Sequence, residues 1–196
     1  KDAGEVLDGK HRNIPVLGNI EEATASIEDI KYCIIGIATV GGILPAHFIP
    51  VLETCIRKNI SLVNGLHDFL SNIASLAALA KQNNVELIDV RKPKDRKDLH
   101  FWNAEIYSVK APIIAVIGTD CALGKRTTCR MVKQACADAK INAQMIYTGQ
   151  TGWLQGGQYG FIFDSTLNDF ISGELEHAVV SCWKETNADV LLIEGQ

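Results

Sequence analysis

The sequence lacks the features that mark membrane, secreted and nucleic-acid-binding proteins. It has no apolar run near the ~20 residues that a bilayer-spanning helix needs, and residues 1–10 are polar, unlike a signal peptide. The net charge is −4 and the basic residues are scattered among acids, so no extended cationic surface is expected. We therefore expect a cytoplasmic protein with a small-molecule substrate and no nucleic-acid or membrane partner. We also expect it to assemble as a homo-oligomer.

Two chemical signatures are absent as well. The six cysteines include no CxxC pair and several lie in apolar segments, which is typical of reduced structural thiols. No GxGxxG fingerprint occurs, and classical dinucleotide binding is therefore not supported. The functional site must be sought among other glycine-rich and charged motifs.

Both ends of the sequence look like positions inside a longer chain. The first residues lie within a polar segment, and the last six, LLIEGQ, have the pattern of a buried strand that leads into a loop. Chains seldom end at the carboxyl end of a central strand, because α/β proteins bind ligands there. We expect the sequence to be a piece of a longer protein.

The first half of the sequence alternates apolar runs of strand length with segments of helical period. Strands are predicted at 32–38, 61–63 and 86–90, and helices at 47–57 and 68–82. This βαβ rhythm predicts a parallel sheet covered by helices.

A charged segment, RKPKDRKD at 91–98, separates the two halves. It contains a proline and no apolar periodicity, so we expect a linker or an exposed loop. The predicted fold class is α/β, with a Rossmann-like domain at 1–108 followed by a P-loop NTPase-like domain at 109–196. Strands and helices of the second domain are predicted, in chain order, at 111–117, 125–139, 143–147, 167–185 and 190–193.

The strongest motif is GTDCALGKRTT at 118–128, directly between a predicted buried strand and a predicted helix. This context is typical of a P-loop (Walker A motif), in which backbone N–H groups of a glycine-rich turn converge on phosphate oxygens. Lys125 can neutralise charge on a β- or γ-phosphate. The residues predicted to bind the phosphate ligand are Gly118, Thr119, Asp120, Gly124, Lys125, Arg126, Thr127 and Thr128.

The motif departs from the standard pattern in two ways. Five residues separate its two glycines where four are usual, and Arg126 replaces the serine or threonine that normally holds Mg²⁺. Two alternatives follow. Either Thr127 or Thr128 holds the metal by a shifted geometry, with Glu194 as a further candidate ligand, or the site binds a phosphate group without the metal.

The glycine-rich segment 148–160 (TGQTGWLQGGQYG) is a second candidate site, because it follows a predicted strand at the same sheet edge. The residues predicted to hold a substrate carboxylate are Gln150, Thr151 and Gly152. A mobile surface loop is the alternative. Downstream, Asp164 and Asp169 could orient an amine, bind a metal or act as a base, or Asp164 could cap the following helix.

In the first domain, glycine and asparagine follow two of the predicted strands. Gly41-Gly42 and Asn64-Gly65 could form another pocket at the ligand-binding edge, or they could serve ordinary turns that need positive φ. His67 could act beside that pocket or simply begin its helix.

The GTDxxxGK form of the P-loop resembles that of dethiobiotin synthetase and its relatives. Ile193-Glu194-Gly195 resembles the EG of the EGAGG segment in that family, which lies beside the nucleotide phosphates and the metal. The loop has no second lysine of the kind that MinD-type ATPases carry. The resemblance therefore favours an enzyme over a dimerising ATPase switch.

Several motifs in combination resemble one family, the DgcN family, long carried as a domain of unknown function. In chain order these motifs are Gly41-Gly42, NGLH at 64–67, DVRKP at 89–93, GTDCALGKRTT, TGQTGW at 148–153, the Asp164…Asp169-Phe170 spacing with Gly173-Glu174, and EGQ at 194–196. The resemblance covers nearly the whole chain. It implies a Rossmann-like domain joined to a P-loop domain, and N-acetylation of D-glutamate from acetyl-CoA.

Three functions remain open from the residues. In an acyltransferase, the P-loop would anchor acetyl-CoA by its phosphates and an acid would accept the amine proton. In an ATP-dependent ligase or kinase, Lys125 and Mg²⁺ would stabilise a transferred phosphoryl group. A nucleotide-gated binding module would have no turnover. For an enzyme, the candidate catalytic residues are Lys125, Asp164, Asp169 and Glu194.

Overall fold

The computed structural model describes residues 1–120 and 122–195. These residues form two compact units, the first spanning Lys1–Asp89 and the second beginning at Val90. Each unit contains one parallel β-sheet with helices packed on it, which confirms the predicted α/β class. No helix in the described ranges is long and apolar enough to cross a bilayer.

The first unit is built from α1 (Ala3–Asp8), α2 (Ile20–Ser26), β1 (Tyr32–Ile35), α3 (Ile49–Arg57), β2 (Ser61–Asn64), α4 (Ala74–Asn83) and β3 (Leu87–Asp89). Its strands are parallel and lie in the order β1-β2-β3. Pro50 lies in the first turn of α3, where the missing N–H is not needed. Leu52, Cys55 and Ile56 recur at helical spacing and bury one face of α3 in the core.

Four elements of this unit differ from the sequence prediction. The first strand ends at Ile35 rather than at residue 38. The helix expected from residue 68 begins at Ala74, because the Asp89 carboxylate accepts hydrogen bonds from the N–H groups of Leu70 and Ser71 and holds a separate short turn there. The apolar pattern does not predict α1 or α2.

The second unit contains β4 (Ile113–Val116), α5 (Lys125–Asp138), β5 (Ala143–Ile146), α6 (Gln150–Leu154), α7 (Ile171–Thr186) and β6 (Val190–Glu194). The strands are parallel and lie in the order β4-β6-β5. Successive residues of a strand face opposite sides, so Leu191 packs with α7 while Leu192 packs with Cys129 of α5. The two helices therefore cover opposite faces of the sheet.

The central position of β6 brings the functional loops together. Its last residue, Glu194, is in register with Val116 of β4, and Ile193 is in register with Ile146 of β5. The N–H of Gly195 donates to the carbonyl of Val116 at 2.9 Å, and a Cβ at Gly195 would lie only 2.6 Å from that oxygen. The loops after β4 and β5 therefore begin on either side of Glu194.

The segment 90–108 belongs to the second unit, whereas the sequence prediction places it in the first domain. Two buried carboxylates of α7, Glu174 and Glu176, accept hydrogen bonds from this segment. The donors are the Lys94 ammonium, the His100 backbone and ring, and the backbone N–H groups of Asn103 and Ile106. The missing side chain of Gly173 lets the segment approach α7 closely, since a Cβ there would lie 2.0 Å from the carbonyl oxygen of His100. Polar bonds hold this segment, so hydrophobic periodicity does not reveal its position.

Glu174→Gln is expected to lower the free energy of unfolding by about 1–3 kcal/mol at neutral pH, because a charged acceptor is lost from a buried position. Burial alone would raise the pKa of Glu174, but Lys94 and His100 hold it below its ordinary value of 4.5. The stabilisation is therefore present above that ordinary value and is lost as the pH falls through the folded-state pKa.

Chemical denaturation of the wild type and Glu174→Gln at pH 7 and pH 3 measures this effect. The difference between the two proteins should shrink in acid, whereas Glu28→Gln, at an exposed position, should change little at either pH. An equal difference at both pH values would contradict the assignment.

Candidate active site

The P-loop lies between β4 and α5, as predicted. Gly124, with φ of 93°, immediately precedes Lys125, the first residue of α5, and has no side chain to accept bonds from the first helical N–H groups. These N–H groups and the helix dipole suit an anionic ligand. The Lys125 ammonium donates to the carbonyl of Asp120 at 2.8 Å, so its side chain folds back over the loop.

The other predicted phosphate-binding residues lie around this lysine. A Cβ at Gly118 would be 3.3 Å from Cδ of Lys125, so the lysine stem packs directly on that glycine. Residues 118–120 are exposed, as are Thr127 and Thr128 on the first turns of α5. Cys121 lies outside the described residues, and so does Gln196 of the EGQ motif.

Arg126 and Glu194 form the central contact of the site. Nη2 of Arg126 donates to Oε1 of Glu194 at 2.5 Å, and the two side chains are 16% and 9% exposed. Nη1 of Arg126 and Oε2 of Glu194 are also buried, and neither has a hydrogen-bond partner in the described part of the chain. The hydroxyl of Thr148, after β5, donates to the backbone carbonyl of Glu194 at 2.6 Å. The ends of β5 and β6 and the start of α5 thus meet at one buried ion pair.

This donor set does not fit Mg²⁺. The metal would need oxygen ligands, but one Glu194 oxygen is bound to a guanidinium, and Arg126 occupies the position of the usual hydroxyl ligand. Thr127 is exposed and lines a groove along α5 with Arg130 and Lys133. Among the described residues, no group of three or more His, Cys, Asp or Glu side chains could hold a metal ion. Arg126, rather than a hydroxyl side chain, therefore follows the P-loop lysine, and it is paired with Glu194.

The glycine-rich segment after β5 is more ordered than the loop that the sequence predicts. Residues Gln150–Leu154 form α6, and one glycine within this helix and two after it pack on Tyr147. An added Cβ would lie within 2.2 Å of a Tyr147 atom at Gly152 and at Gly160, and within 2.6 Å at Gly157. The glycines therefore serve close packing around a buried tyrosine, whose pKa is raised by that burial.

Gly152→Ala is expected to destabilise the protein by about 1–3 kcal/mol, because the new methyl group would overlap Cβ of Tyr147. Thermal and chemical denaturation measure the change. Gly36→Ala is the matched control, since a Cβ there meets nothing within 4 Å. Unchanged stability in Gly152→Ala would show that the segment does not pack on Tyr147.

A cleft of about 310 Å³ lies between α5 and this segment. Gly152 lines it, whereas Gln150 and Thr151, the other two predicted substrate-binding residues, do not. Arg126 lines it as well, so the cleft adjoins the ion pair with Glu194.

The two predicted aspartates, Asp164 and Asp169, have different surroundings in the structure. Asp164 lies in a short turn and forms an ion pair with Arg91, while the preceding Phe163 donates its N–H to the carbonyl of Thr148. Asp164 is thus tied to the loop that touches Glu194. Asp169 is exposed in the turn before α7 and forms no ion pair with another described residue.

The residues predicted to form a pocket in the first unit bond to one another within their own turns. The buried amide of Asn64 donates to the carbonyl of Asp68 and to Asp89, and its oxygen accepts the N–H of Leu66. The carbonyl of Gly42 accepts the N–H of His67, and a Cβ at Gly42 would lie 2.4 Å from the His67 ring. These bonds favour the alternative of ordinary turns.

Several residues near the site escape prediction from the sequence. Arg130 follows Arg126 by four residues and Lys133 follows Arg130 by three, which places the three cations on one helical face. This spacing is a sequence pattern from which the cationic face could have been predicted. In contrast, no local pattern predicts that Arg91 meets Asp164 or that glycines surround Tyr147.

The fold and the site define the class of protein: a Rossmann-like α/β unit followed by a P-loop unit in which Arg126, at the start of α5, pairs with Glu194 at the end of β6. Residues 1–93 match the N-terminal Rossmann-like domain of DUF1611, and residues 100–196 match its C-terminal P-loop domain, both described as domains of unknown function. The chain belongs to the DUF1611 family.

Characterised relatives support the predicted family. A D-glutamate N-acetyltransferase of Pseudoalteromonas sp is 33% identical over 166 residues, which cover 85% of this chain and 48% of that protein. A second D-glutamate N-acetyltransferase, from Tritonibacter scottomollicae, is 30% identical over 158 residues, covering 81% of this chain and 45% of the relative. Both relatives are named as acetyltransferases.

A solved structure supports the fold. The crystal structure of a DUF1611 family protein from Anabaena variabilis matches with a TM-score of 0.84 and 32% identity, over 98% of this chain and 54% of that one. This chain spans about half the length of each of these relatives.

Proposed function

We propose that the protein N-acetylates D-glutamate or a similar D-amino acid, and that its P-loop holds the phosphates of acetyl-CoA. The observation that carries this proposal is the Arg126–Glu194 ion pair, taken with the names of the relatives. Phosphoryl transfer from ATP normally needs a metal between the phosphates. Acyl transfer has no such requirement, and Lys125 and the N-terminus of α5 would supply the positive charge that holds the phosphates of the donor.

Acetyl transfer places simple demands on the protein. The amine nitrogen forms a bond to the acetyl carbon, the C–S bond breaks, and the amine proton passes to a base while the thiolate leaves. Most of the catalytic advantage then comes from positioning the two substrates and from one base. The P-loop would fix the acyl donor, and the cleft beside Gly152 would fix the amine substrate.

Glu194 is the strongest candidate for the base among the predicted acids. Its Oε2 atom has no hydrogen-bond partner among the described residues and lies where the strand ends converge. Asp164 is likewise paired with an arginine, Arg91, but it lies in a separate turn, and Asp169 lies in the turn before α7. Lys125 would act by binding phosphate rather than by moving a proton.

One assay tests the proposed function against the ATP-dependent alternative. The intact protein is incubated with D-glutamate and either acetyl-CoA plus EDTA or ATP plus Mg²⁺, and N-acetyl-D-glutamate, free CoA and ADP are measured. We expect N-acetyl-D-glutamate and CoA in the first mixture only. ADP formation that depends on D-glutamate, or tight Mg²⁺-dependent ATP binding with no binding of acetyl-CoA by calorimetry, would overturn the proposal.

A further inference from the structure

The cleft beside α5 has an unusual distribution of charge. Its lining includes Arg126, Arg130 and Lys133 of α5, and none of its lining residues is an aspartate or glutamate. The whole chain carries a net charge of −4, so a cleft whose charged side chains are all positive differs from the rest of the molecule. We refer to this pocket as the cationic cleft.

The three cations of the cleft are not equivalent. Arg126 is neutralised by Glu194, whereas Arg130 forms no ion pair with any residue that the structure describes. Lys133 donates to the neutral side-chain oxygen of Gln144 at 3.2 Å and has no carboxylate partner there either. Two positive charges one turn apart on α5 are therefore available to an anion.

The dimensions of the cleft limit what this anion can be. A volume of about 310 Å³ is at the lower end of the range of roughly 300–1,000 Å³ for small-molecule pockets, which suits an amino acid better than a whole coenzyme. The planar guanidinium of Arg130 matches the two oxygens of a carboxylate. The Gln155 and Gln158 side chains also line the cleft and can provide further hydrogen bonds.

We propose that Arg130 and Lys133 bind the side-chain carboxylate of an acidic amino-acid substrate in the cationic cleft. This inference rests on the proposed function and adds the residues that would select an acidic substrate. Arg126 and Lys133 are seven positions apart on α5, a rise of about 10 Å. A substrate with its carboxylate beside Lys133 and Arg130 would have its amine towards Arg126 and the P-loop, where the acyl donor is held.

The test compares neutral variants of the two cations with matched variants elsewhere in the same unit. In Arg130→Gln and Lys133→Gln, KM for D-glutamate should rise about 10- to 100-fold, because each variant loses a charge-assisted hydrogen bond. KM for D-glutamine and for acetyl-CoA should stay near the wild-type values. Arg96→Gln and Lys110→Gln remove the same charges from exposed positions and should leave KM for D-glutamate unchanged.

Direct binding separates this inference from the proposed function. Calorimetry with D-glutamate and no acyl donor should show binding to the wild type and weaker binding to Arg130→Gln. If the wild type binds D-glutamate in this way but transfers no acetyl group, the proposed function fails and the cleft assignment stands.

Other outcomes would overturn the cleft assignment itself. It fails if the wild type is active and both variants keep its KM for D-glutamate. It also fails if the variants raise KM for acetyl-CoA but not for acetyl-dephospho-CoA, the same donor without the 3′-phosphate, since the cleft would then bind that phosphate. Absence of both binding and activity towards D-glutamate in the wild type would refute it as well.

Discussion

Arg126→Ala should lower the free energy of unfolding by about 3–5 kcal/mol, the largest effect on stability that we expect from a single substitution at this site. The loss comes from Glu194, which remains in the variant without its partner. Glu194 is 9% exposed, and without the guanidinium its carboxylate would be a buried charge with no counter-ion. Chemical denaturation at neutral pH measures the loss.

Removal of both partners should be much less harmful than removal of one. Arg126→Met combined with Glu194→Leu replaces the ion pair with apolar side chains of similar size, and we expect it to recover most of the stability lost in Arg126→Ala. Arg130 lies one turn along α5 and forms no ion pair with a described residue, so Arg130→Ala should change stability by less than about 0.5 kcal/mol. If the double variant is as unstable as the single one, the arginine stabilises the site by packing and not by neutralising Glu194.

Lys125→Ala should raise KM for the acyl donor about 10- to 100-fold, because a charge-assisted hydrogen bond to phosphate is lost. The fold should be unaffected, since among the described residues the Lys125 ammonium bonds only to the carbonyl of Asp120, which is exposed. Steady-state kinetics with acetyl-CoA varied at saturating D-glutamate measures the effect.

Two comparisons make the Lys125 result specific. Lys125→Arg keeps the charge and should retain more of the affinity for the donor, and Lys110→Gln, at an exposed position in the same unit, should match the wild type. Full activity in Lys125→Ala would mean that the P-loop does not hold the donor.

The sequence predicts well those features that repeat locally. Buried strands followed by helices of regular period identify both sheets, and the glycines and lysine between β4 and α5 identify the P-loop, because each signal lies within a few adjacent residues. The start of α4 is predicted less well, since the carboxylate of Asp89, distant in the sequence, holds Leu70 and Ser71 in a separate turn.

The candidate site is harder to predict, because its decisive contacts join residues far apart in the chain. Arg126 reads as a departure from the P-loop pattern, and only the pairing of β4 with β6 shows that Glu194 neutralises it. The glycines of 148–160 suggest a ligand-binding loop from the sequence alone, but in the structure they pack on Tyr147. The contacts of Glu174 and Glu176 likewise place segment 90–108 in the second unit, where periodicity shows only a charged loop.

The strand order β4-β6-β5 also has a consequence for how the second unit folds. Among the described residues, β4 and β5 are hydrogen-bonded to β6 and not to each other, so neither gains a sheet partner before residues 190–194 take their place. Closing such long loops costs entropy that is recovered only when the strands pair, which slows folding. The last strand carries Glu194 with it, so the sheet and the arginine–glutamate pair should form in a single late step.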